Sequence, residues 1–103
     1  MKSIELVEFS NWLDGLRDKS TVSRIVSRIL RLKNGHAGDH KAVGDGVLEL
    51  RFTFGPGYRV YFTYFGDQLL ILLAGGDKDS QFRDILKAKS LLKQWKELNH
   101  DNT

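Results

Sequence analysis

The feature that most constrains the fold is a pair of alternating segments on either side of Gly55-Pro56-Gly57. From residue 47 to 54, and again from 58 to 64, apolar or aromatic side chains occupy the even positions, and mostly polar or charged side chains occupy the odd ones. Such alternation is typical of a β-strand with one buried face. The sequence therefore predicts a hairpin in which Pro56 fixes its own φ and both glycines can adopt positive φ.

The register of this hairpin follows from parity. Both even sets share one face only if paired residue numbers sum to an even number, and a loop made of Gly55-Pro56-Gly57 satisfies this condition. The predicted pairs on the apolar face are Phe54 with Tyr58, Phe52 with Val60 and Leu50 with Phe62. The predicted pairs on the other face are Thr53 with Arg59, Arg51 with Tyr61 and Glu49 with Thr63. Two arginines, a glutamate and a tyrosine thus share one side of a rigid hairpin, where a site would be well held.

Periodicity and turn residues predict the remaining elements. We expect a first strand at residues 2–8, helices at 9–18 and 21–33, a short edge strand at 41–43, a central strand at 68–74 and a last helix ending near 98. Ser10 is expected to cap the first helix, Ser20 or Thr21 the second, and Asp79 or Ser80 the third. The predicted fold class is α+β, with two N-terminal helices and a C-terminal helix packed on a mainly antiparallel four- to five-stranded sheet.

Two of the predicted helices carry basic rows opposite their apolar stripes. On the second helix the expected buried stripe is Val22, Ile25, Val26, Ile29 and Leu32, and the basic row is Arg24, Arg28 and Arg31. On the last helix the expected apolar side is Phe82, Ile85, Leu86, Ala88, Leu91, Leu92 and Trp95, and the basic row is Lys89, Lys93 and Lys96. Solvated faces are favoured for both rows, with contact to an acidic partner as the alternative for the arginines.

Composition limits the class of protein. A chain of 103 residues suits a single domain, expected at residues 1–98, followed by a polar tail at 99–103. The absence of Cys removes disulfides and thiolate metal sites and fits a reducing cytosol. The longest apolar run is too short to cross a bilayer, and no signal peptide is indicated, so we expect a cytoplasmic protein without a membrane partner. A net charge of +3 permits a polyanionic partner without requiring one.

The histidines do not indicate a metal site. His36 and His40 are four residues apart, a spacing that gives a common direction only on a helix, and the glycines around them argue against a helix. His100 lies in the polar tail. We expect no metal ion and no other cofactor.

Several motifs together resemble a known family. They are Trp12-Leu13, Arg24-Ile25, Arg28-Ile29, Gly38-Asp39-His40-Lys41, Val43-Gly44-Asp45-Gly46-Val47, Glu49-Leu50-Arg51, Gly55-Pro56-Gly57-Tyr58-Arg59-Val60-Tyr61, Gly75-Gly76-Asp77-Lys78, Gln81 and Asp84-Ile85. From about Leu6 to Trp95 the sequence resembles the addiction-module killer proteins of the RelE/ParE toxin superfamily, in the HigB-like branch. The resemblance implies the toxin of a type II toxin–antitoxin pair, held inactive by a cognate antitoxin, for which we expect a small helix-turn-helix protein.

The resemblance also implies an activity and site residues. Ribonuclease members of the superfamily cut mRNA in the ribosomal A site, so it implies an mRNA endoribonuclease whose partners are mRNA and the 70S ribosome. By position, Arg59 matches the strand arginine of the family, Arg51 a basic residue on the preceding strand and Lys78 the basic region before the last helix. We expect these three, with Glu49 and Tyr61, to form the catalytic site. The residues expected to bind RNA are Lys41, Tyr58 and Arg83.

The general acid and base stay unassigned. Some members of the superfamily have Lys at the position of Glu49, and others carry a His or Tyr near the C-terminus that has no counterpart here. Attack of the 2′-OH on the adjacent phosphate needs charge stabilisation, which Arg51 and Arg59 can supply, but a permanently charged guanidinium cannot act as a base. Substitution of both arginines by Ala is expected to abolish growth inhibition and leave the fold intact.

Three alternatives remain open at this stage. The first is a ParE-like toxin, which would act on DNA gyrase and would not be a nuclease. It stays open because the fold alone does not settle the activity. An inactive member would only bind its antitoxin. In a purely structural interpretation, Glu49 neutralises Arg51 or Arg59 in an ion-pair network on an exposed sheet face.

Overall fold

The computed structural model describes residues 1–99, which form three helices around a five-stranded sheet. The elements are β1 (Lys2–Glu5), α1 (Val7–Asp14), α2 (Lys19–Lys33), β2 (His40–Gly44), β3 (Val47–Arg51), β4 (Arg59–Phe65), β5 (Leu69–Gly76) and α3 (Gln81–Asn99). Of the predicted tail, only residue 99 is described, and it ends α3. His100 lies outside the described residues. None of the helices described is long and apolar enough to cross a membrane.

The strand order in the sheet is β1-β5-β4-β3-β2. β1 runs parallel to β5, and the other neighbouring strands are antiparallel. This arrangement confirms the predicted α+β class with a mainly antiparallel sheet. The two strands at the centre, β4 and β5, are the longest and the most deeply buried.

The sheet buries both of its faces. Helices α1 and α2 cover the face that carries Leu50, Val60 and Phe62, whereas α3 covers the face that carries Val47 and Tyr61. β5 contributes Leu70 and Leu72 to the first core and Ile71 and Leu73 to the second. Burial on both faces explains its unbroken apolar sequence, as predicted for a central strand.

The register of the β3–β4 hairpin differs from the prediction. The pairs are Leu48 with Phe62, Glu49 with Tyr61, Leu50 with Val60 and Arg51 with Arg59. The backbone N–H of Phe52 also bonds the carbonyl of Tyr58 at 3.0 Å, which leaves residues 53–57 in the loop. The loop is wider than predicted because Gly57 closes a turn onto the carbonyl of Phe54 and the Phe54 ring packs under Arg24 of α2. The predicted even and odd faces are nevertheless correct, because the register sum stays even.

The starts of the first two helices also correct the prediction. β1 ends at Glu5, and α1 begins at Val7 without a side-chain cap, so Ser10 is not its cap; its hydroxyl donates to Glu5 at 3.0 Å. α2 is capped by Asp18, whose carboxylate accepts the backbone N–H of Ser20. An Asp side chain is as good a cap as Ser, and Asp18 lies two residues before Ser20 and three before Thr21, the two predicted caps.

On α2 and α3 the buried face includes only part of the predicted apolar stripe. On α2, Ile25, Ile29 and Leu32 are buried, but Val26 is exposed. On α3, Ala88 and Leu92 are buried, whereas Phe82 and Leu86 are 80% and 54% exposed. In the first half of the α3 stripe, Ile85 packs against the sheet but Phe82 and Leu86 do not, because the stripe turns around the helix between its two halves.

The basic rows are not uniformly solvated. Arg24 and Arg31 are exposed, as predicted, but Arg28 is half-buried and bonds three backbone carbonyls. Lys93 and Lys96 are exposed, whereas Lys89 is partly buried and lies 3.6 Å from the Asp45 carboxylate.

Candidate functional site

An open cleft lies where β3 ends and β4 begins, beside the loop between β5 and α3. Its volume is about 550 Å³. Its lining residues are Asp39, Arg51, Phe52, Thr53, Gly55, Pro56, Gly57, Arg59, Lys78 and Asp79. Three of the five expected catalytic residues, Arg51, Arg59 and Lys78, thus meet in one cleft, although they come from different segments of the chain.

Two loops are joined to form the wall of this cleft. The backbone N–H of Lys78 bonds the Pro56 carbonyl at 3.3 Å, and Gly57 adopts a φ of +75°. A Cβ on Gly57 would lie 3.3 Å from the Lys78 Cβ, so the loops approach each other closely. The positive φ and the tight contact both favour glycine at residue 57. The Gly-Pro-Gly loop therefore fixes the position of the Lys78 backbone.

The start of α3 is held close to the end of β5. The Asp77 carboxylate accepts the backbone N–H groups of Asp79 and Ser80 at 3.0 and 3.1 Å. A Cβ at Gly76 would overlap the Asp84 carboxylate, so only glycine permits the helix to approach this closely. As a result, the first turn of α3 covers the charged face of β3 and β4.

Below that turn, Glu49 and Tyr61 are completely buried. Gln81 of α3 donates from Nε2 to Glu49 Oε2 at 2.8 Å, and Arg59 Nε lies 3.8 Å from Glu49 Oε1. The Tyr61 hydroxyl makes no hydrogen bond of good geometry among the described residues, but it lies close enough to Glu49 to interact weakly with that carboxylate. Burial, together with the Glu49 and Asp84 carboxylates, raises the pKa of Tyr61. Neither Glu49 nor Tyr61 lines the cleft, so the predicted exposed ion-pair face is in fact enclosed.

Arg59 connects this buried group with the cleft. Its side chain is 13% exposed and lines the cleft. Its Nη1 donates to the carbonyls of Phe52, Gly57 and Tyr58 at 3.0–3.4 Å. The guanidinium therefore holds both ends of the hairpin loop while it neutralises Glu49.

The position of Arg59 corrects the expectation that an alanine substitution would leave the fold intact. Arg59→Ala would remove the cation that faces Glu49 and leave a buried carboxylate without a charge partner, which typically costs about 3–5 kcal/mol. It would also release three loop carbonyls. Loss of activity in such a variant would report unfolding as readily as a missing phosphate ligand. Arg51 and Lys78 are better positions for a functional test.

Arg51 lies at the more exposed side of the cleft. Its Nε and Nη2 both donate to Asp39 Oδ1, at 3.3 and 3.2 Å, and the two side chains are 36% and 46% exposed. An ion pair at such exposure contributes about 0–1 kcal/mol, so a phosphate group can replace Asp39 as the partner of Arg51.

Arg28 holds the backbone around this pair. Its Nη1 donates to the Arg51 carbonyl at 2.9 Å, and its Nη2 donates to the carbonyls of Ala37 and Asp39. Its guanidinium lies 4.7 Å from the centre of the Phe52 ring. Burial, and to a lesser extent the charge of Arg31, lower the pKa of Arg28, while Asp39 opposes this shift.

The three residues expected to bind RNA are not among the residues that line the cleft. Lys41 is exposed on the edge strand β2, and Arg83 is exposed on the first turn of α3. The Tyr58 ring packs against Trp12 and Phe54, with ring centres 6.2 and 5.6 Å apart. Tyr58 therefore belongs to the core below the loop.

The sequence did not indicate Asp39, Thr53 and Asp79 as site residues, although all three line the cleft. Asp39 lies beside Arg51 because β2 pairs with β3 so that His40 is opposite Leu50. The turn at Asp45-Gly46 indicated a hairpin, but a two-residue turn alone would place His40 opposite Arg51. A bulge between Ala42 and Gly44 shifts the register by one residue and brings Asp39 opposite Arg51. No group of three or more possible metal ligands is found within residues 1–99.

Comparison with known proteins places the chain in a family. Residues 11–93 match the phage-derived Gp49-like family (DUF891), and the chain belongs to that family. The family is associated with toxin-like addiction-module proteins. An uncharacterized protein of Haemophilus influenzae is 45% identical over 86 residues, which cover 84% of this chain and 87% of that protein.

Proposed function

We propose that this protein is the toxin of a type II toxin–antitoxin pair, related to the HigB-like branch of the RelE/ParE superfamily, and that it cuts mRNA on the ribosome. The observation that carries the proposal is the convergence of Arg51, Arg59 and Lys78 in one open cleft. The association of the family with addiction-module proteins supports the toxin role. On this proposal the protein acts in the cytoplasm, on the 70S ribosome, and a helix-turn-helix antitoxin blocks it.

The three cations suit different parts of phosphate recognition. Arg59 is fixed by its bonds to the loop carbonyls and supplies a preorganised positive charge. Arg51 can bind two phosphate oxygens once it releases Asp39, because a guanidinium matches phosphate with two parallel bonds. Lys78 is exposed and adds a mobile point charge. Together they would stabilise the negative charge that grows when a 2′-OH attacks the adjacent phosphorus. The bond to the 5′-oxygen of the next nucleotide breaks in this step, which leaves a 2′,3′-cyclic phosphate and a 5′-hydroxyl that takes its proton from solvent.

Proton transfer has fewer candidates. The carboxylates that line the cleft are Asp39 and Asp79, and either could accept the proton of the 2′-OH. Glu49 is enclosed below α3 and does not reach the cleft surface. Asp39 is engaged by Arg51 and would have to release that partner before it accepts the proton. Such a site would be slow on free RNA and would depend on the ribosome to hold the RNA in place.

The test is controlled expression of three forms in bacteria, followed by measurement of growth and mapping of RNA 5′ ends. The active-site variant is Arg51→Ala combined with Lys78→Ala, because both side chains reach solvent in the cleft. The matched control is Lys93→Ala combined with Lys96→Ala, which removes the same charge from an exposed part of α3. Protein levels are compared by immunoblot.

The proposal predicts growth arrest and new 5′ ends within coding regions for the wild type and the control, and neither for the active-site variant. DNA damage with intact transcripts would replace the nuclease proposal with a gyrase-directed toxin. Normal growth of cells that accumulate the wild-type protein would indicate a member that only binds its antitoxin.

A further inference from the structure

A second groove adjoins the candidate site on the side of α2. Its volume is about 400 Å³. It is lined by Ser23, Arg24, Ser27, Arg28, Arg31, Phe52, Thr53 and Phe54. Phe52 and Thr53 line both the groove and the cleft, so the two depressions meet at the start of the hairpin loop. A molecule that occupies the cleft can therefore continue into the groove.

The groove carries three positive charges, and none of its lining residues is acidic. Arg28 is fixed by backbone carbonyls and supplies a charge that cannot move away. Arg24 stacks on Phe54, with its guanidinium carbon 3.8 Å from the ring centre. Such stacking leaves the N–H groups of Arg24 available and reduces the side-chain entropy lost when a ligand binds.

Arg24 and Arg31 have no carboxylate within ion-pair distance in the part of the chain that the structure describes. In the cleft, by contrast, Arg51 is paired with Asp39. Two exposed guanidinium groups without acidic partners, beside one that is fixed, form a site for anionic groups. Ser23 and Ser27 add hydroxyl groups that can donate to phosphate oxygens.

We propose that the α2 groove binds phosphates of the same single-stranded RNA that occupies the cleft, and that Arg24 and Arg31 are its main ligands. This inference rests on the proposed function, because it extends the path of that substrate. Guanidinium groups would also bind acidic side chains, but the shared wall at Phe52 and Thr53 favours one continuous strand in both depressions.

The experiment is a titration of a fluorescent 2′-O-methyl RNA oligonucleotide, followed by anisotropy at several salt concentrations. The 2′-O-methyl group prevents cleavage, so the result reports binding alone. The groove variant is Arg24→Gln combined with Arg31→Gln. The matched control, Lys93→Gln combined with Lys96→Gln, removes the same charge from α3 on the opposite face of the sheet. A third form, Arg51→Ala with Lys78→Ala, reports the cleft.

The groove variant is expected to bind on the order of tenfold more weakly than wild type, and its slope of log K against log salt should be about 1.4 smaller, at ~0.7 per lost phosphate contact. The control should keep the wild-type slope. If the groove variant and the control have the same affinity and salt dependence, and only the cleft variant binds more weakly, the groove does not bind RNA. The proposed function would not be affected by that result. If poly-glutamate requires Arg24 and Arg31 and the oligonucleotide does not, the groove takes an acidic polypeptide instead.

A different result would show that the proposed function is wrong. In that case cells that express the protein would contain no cut transcripts, while binding of the oligonucleotide would still require Arg24 and Arg31. No binding of the oligonucleotide by the wild-type protein would overturn the inference.

Discussion

Two groups of polar side chains lie around the same face of the β3–β4 hairpin, but they have different surroundings. The inner cluster, Glu49, Arg59 and Tyr61, lies under the first turn of α3 and is almost closed to solvent. The rim, Asp39, Arg51 and Lys78, stays open to solvent around the cleft. Arg51 and Arg59 both occupy odd positions of the alternating strands, so they differ in solvent exposure because α3 covers one of them and not the other.

The inner cluster mainly affects the stability of the fold, whereas the rim is suited to ligand binding. A charge enclosed in the inner cluster cannot be removed without leaving its partner in an apolar environment, so its main effect is on the folded state. A charge on the rim exchanges protein partners for water or phosphate at little cost. Arg59 is the residue in which both roles meet, because it pairs with Glu49 and also lines the cleft.

The largest expected effect is at Arg59. Arg59→Ala should lower the free energy of unfolding by about 3–5 kcal/mol, because Glu49 would stay buried without a cation. Urea denaturation measures this loss. Combination with Glu49→Gln should recover part of it, since the buried negative charge is then absent. A loss below about 1 kcal/mol, or simple additivity of the two substitutions, would show that the inner cluster does not act as a coupled pair.

The next effect concerns Arg28, which lies on the same helix face as the exposed arginines. Arg28→Ala should cost about 2–3 kcal/mol, because charged hydrogen bonds to three backbone carbonyls are lost. Arg31→Ala is the matched control and should change stability by less than about 0.5 kcal/mol, as surface substitutions usually do. Similar values for the two variants would mean that Arg28 is not an anchor of the rim.

A smaller effect is expected at Asp39. Asp39→Asn should release Arg51 and tighten binding of the 2′-O-methyl oligonucleotide by up to about fivefold, since an exposed ion pair contributes about 0–1 kcal/mol. The backbone bond from Arg28 to Asp39 is kept in this variant. Asp67→Asn in the β4–β5 turn changes the net charge equally and should have a much smaller effect. Unchanged binding in Asp39→Asn would argue that Arg51 does not contact the ligand.

The smallest effect at neutral pH is expected at Tyr61, whose hydroxyl makes no hydrogen bond of good geometry among the described residues. Tyr61→Phe should change stability by less than about 1 kcal/mol at pH 7, because only a weak interaction with Glu49 is lost. Burial and the nearby carboxylates raise the pKa of Tyr61 in the folded protein. The neutral hydroxyl therefore contributes fully to the free energy of unfolding below the pKa of Tyr in the unfolded chain, about 10, and this contribution is lost as the pH rises above that value.

Denaturation of both proteins at pH 7 and at alkaline pH tests this expectation. Tyr61→Phe should lose less stability than wild type on the alkaline side. The remaining loss includes Tyr64, whose pKa is also raised by burial. If the free energy of unfolding falls equally steeply with alkaline pH in Tyr61→Phe and in wild type, the hydroxyl is not enclosed in the folded protein. Loss of RNA cleavage without loss of stability would move Tyr61 from the inner cluster into the reaction.

Much of the fold could be predicted because it depends on local patterns. The alternation around Gly55-Pro56-Gly57 gave the faces of β3 and β4, and the unbroken apolar run gave the central strand β5. The hairpin register could not be predicted, because the size of the loop depends on Phe54 packing under Arg24 and on a turn closed by Gly57. Both contacts involve tertiary neighbours or backbone angles that residue types do not fix.

The arrangement of residues around the candidate site could be predicted only in part, for a similar reason. Parity placed Glu49, Arg51, Arg59 and Tyr61 on one face, but it could not tell which of them α3 would cover. That depends on the close approach of the helix to Gly76, a tertiary contact. The same limit applies to Arg28, whose helical position indicates a solvated face although nearby loop carbonyls bury it.

Cleavage of mRNA on purified 70S ribosomes shows whether the rim carries the proposed activity. Wild-type protein and the Arg51→Ala/Lys78→Ala variant are mixed with ribosomes programmed with a defined mRNA, and the cut ends are mapped over time. We expect cleavage by the wild type, much slower cleavage of free RNA, and none by the variant, with equal free energies of unfolding for both proteins. Equal cleavage by the two proteins would contradict the account, as would an intact message after incubation with the wild type.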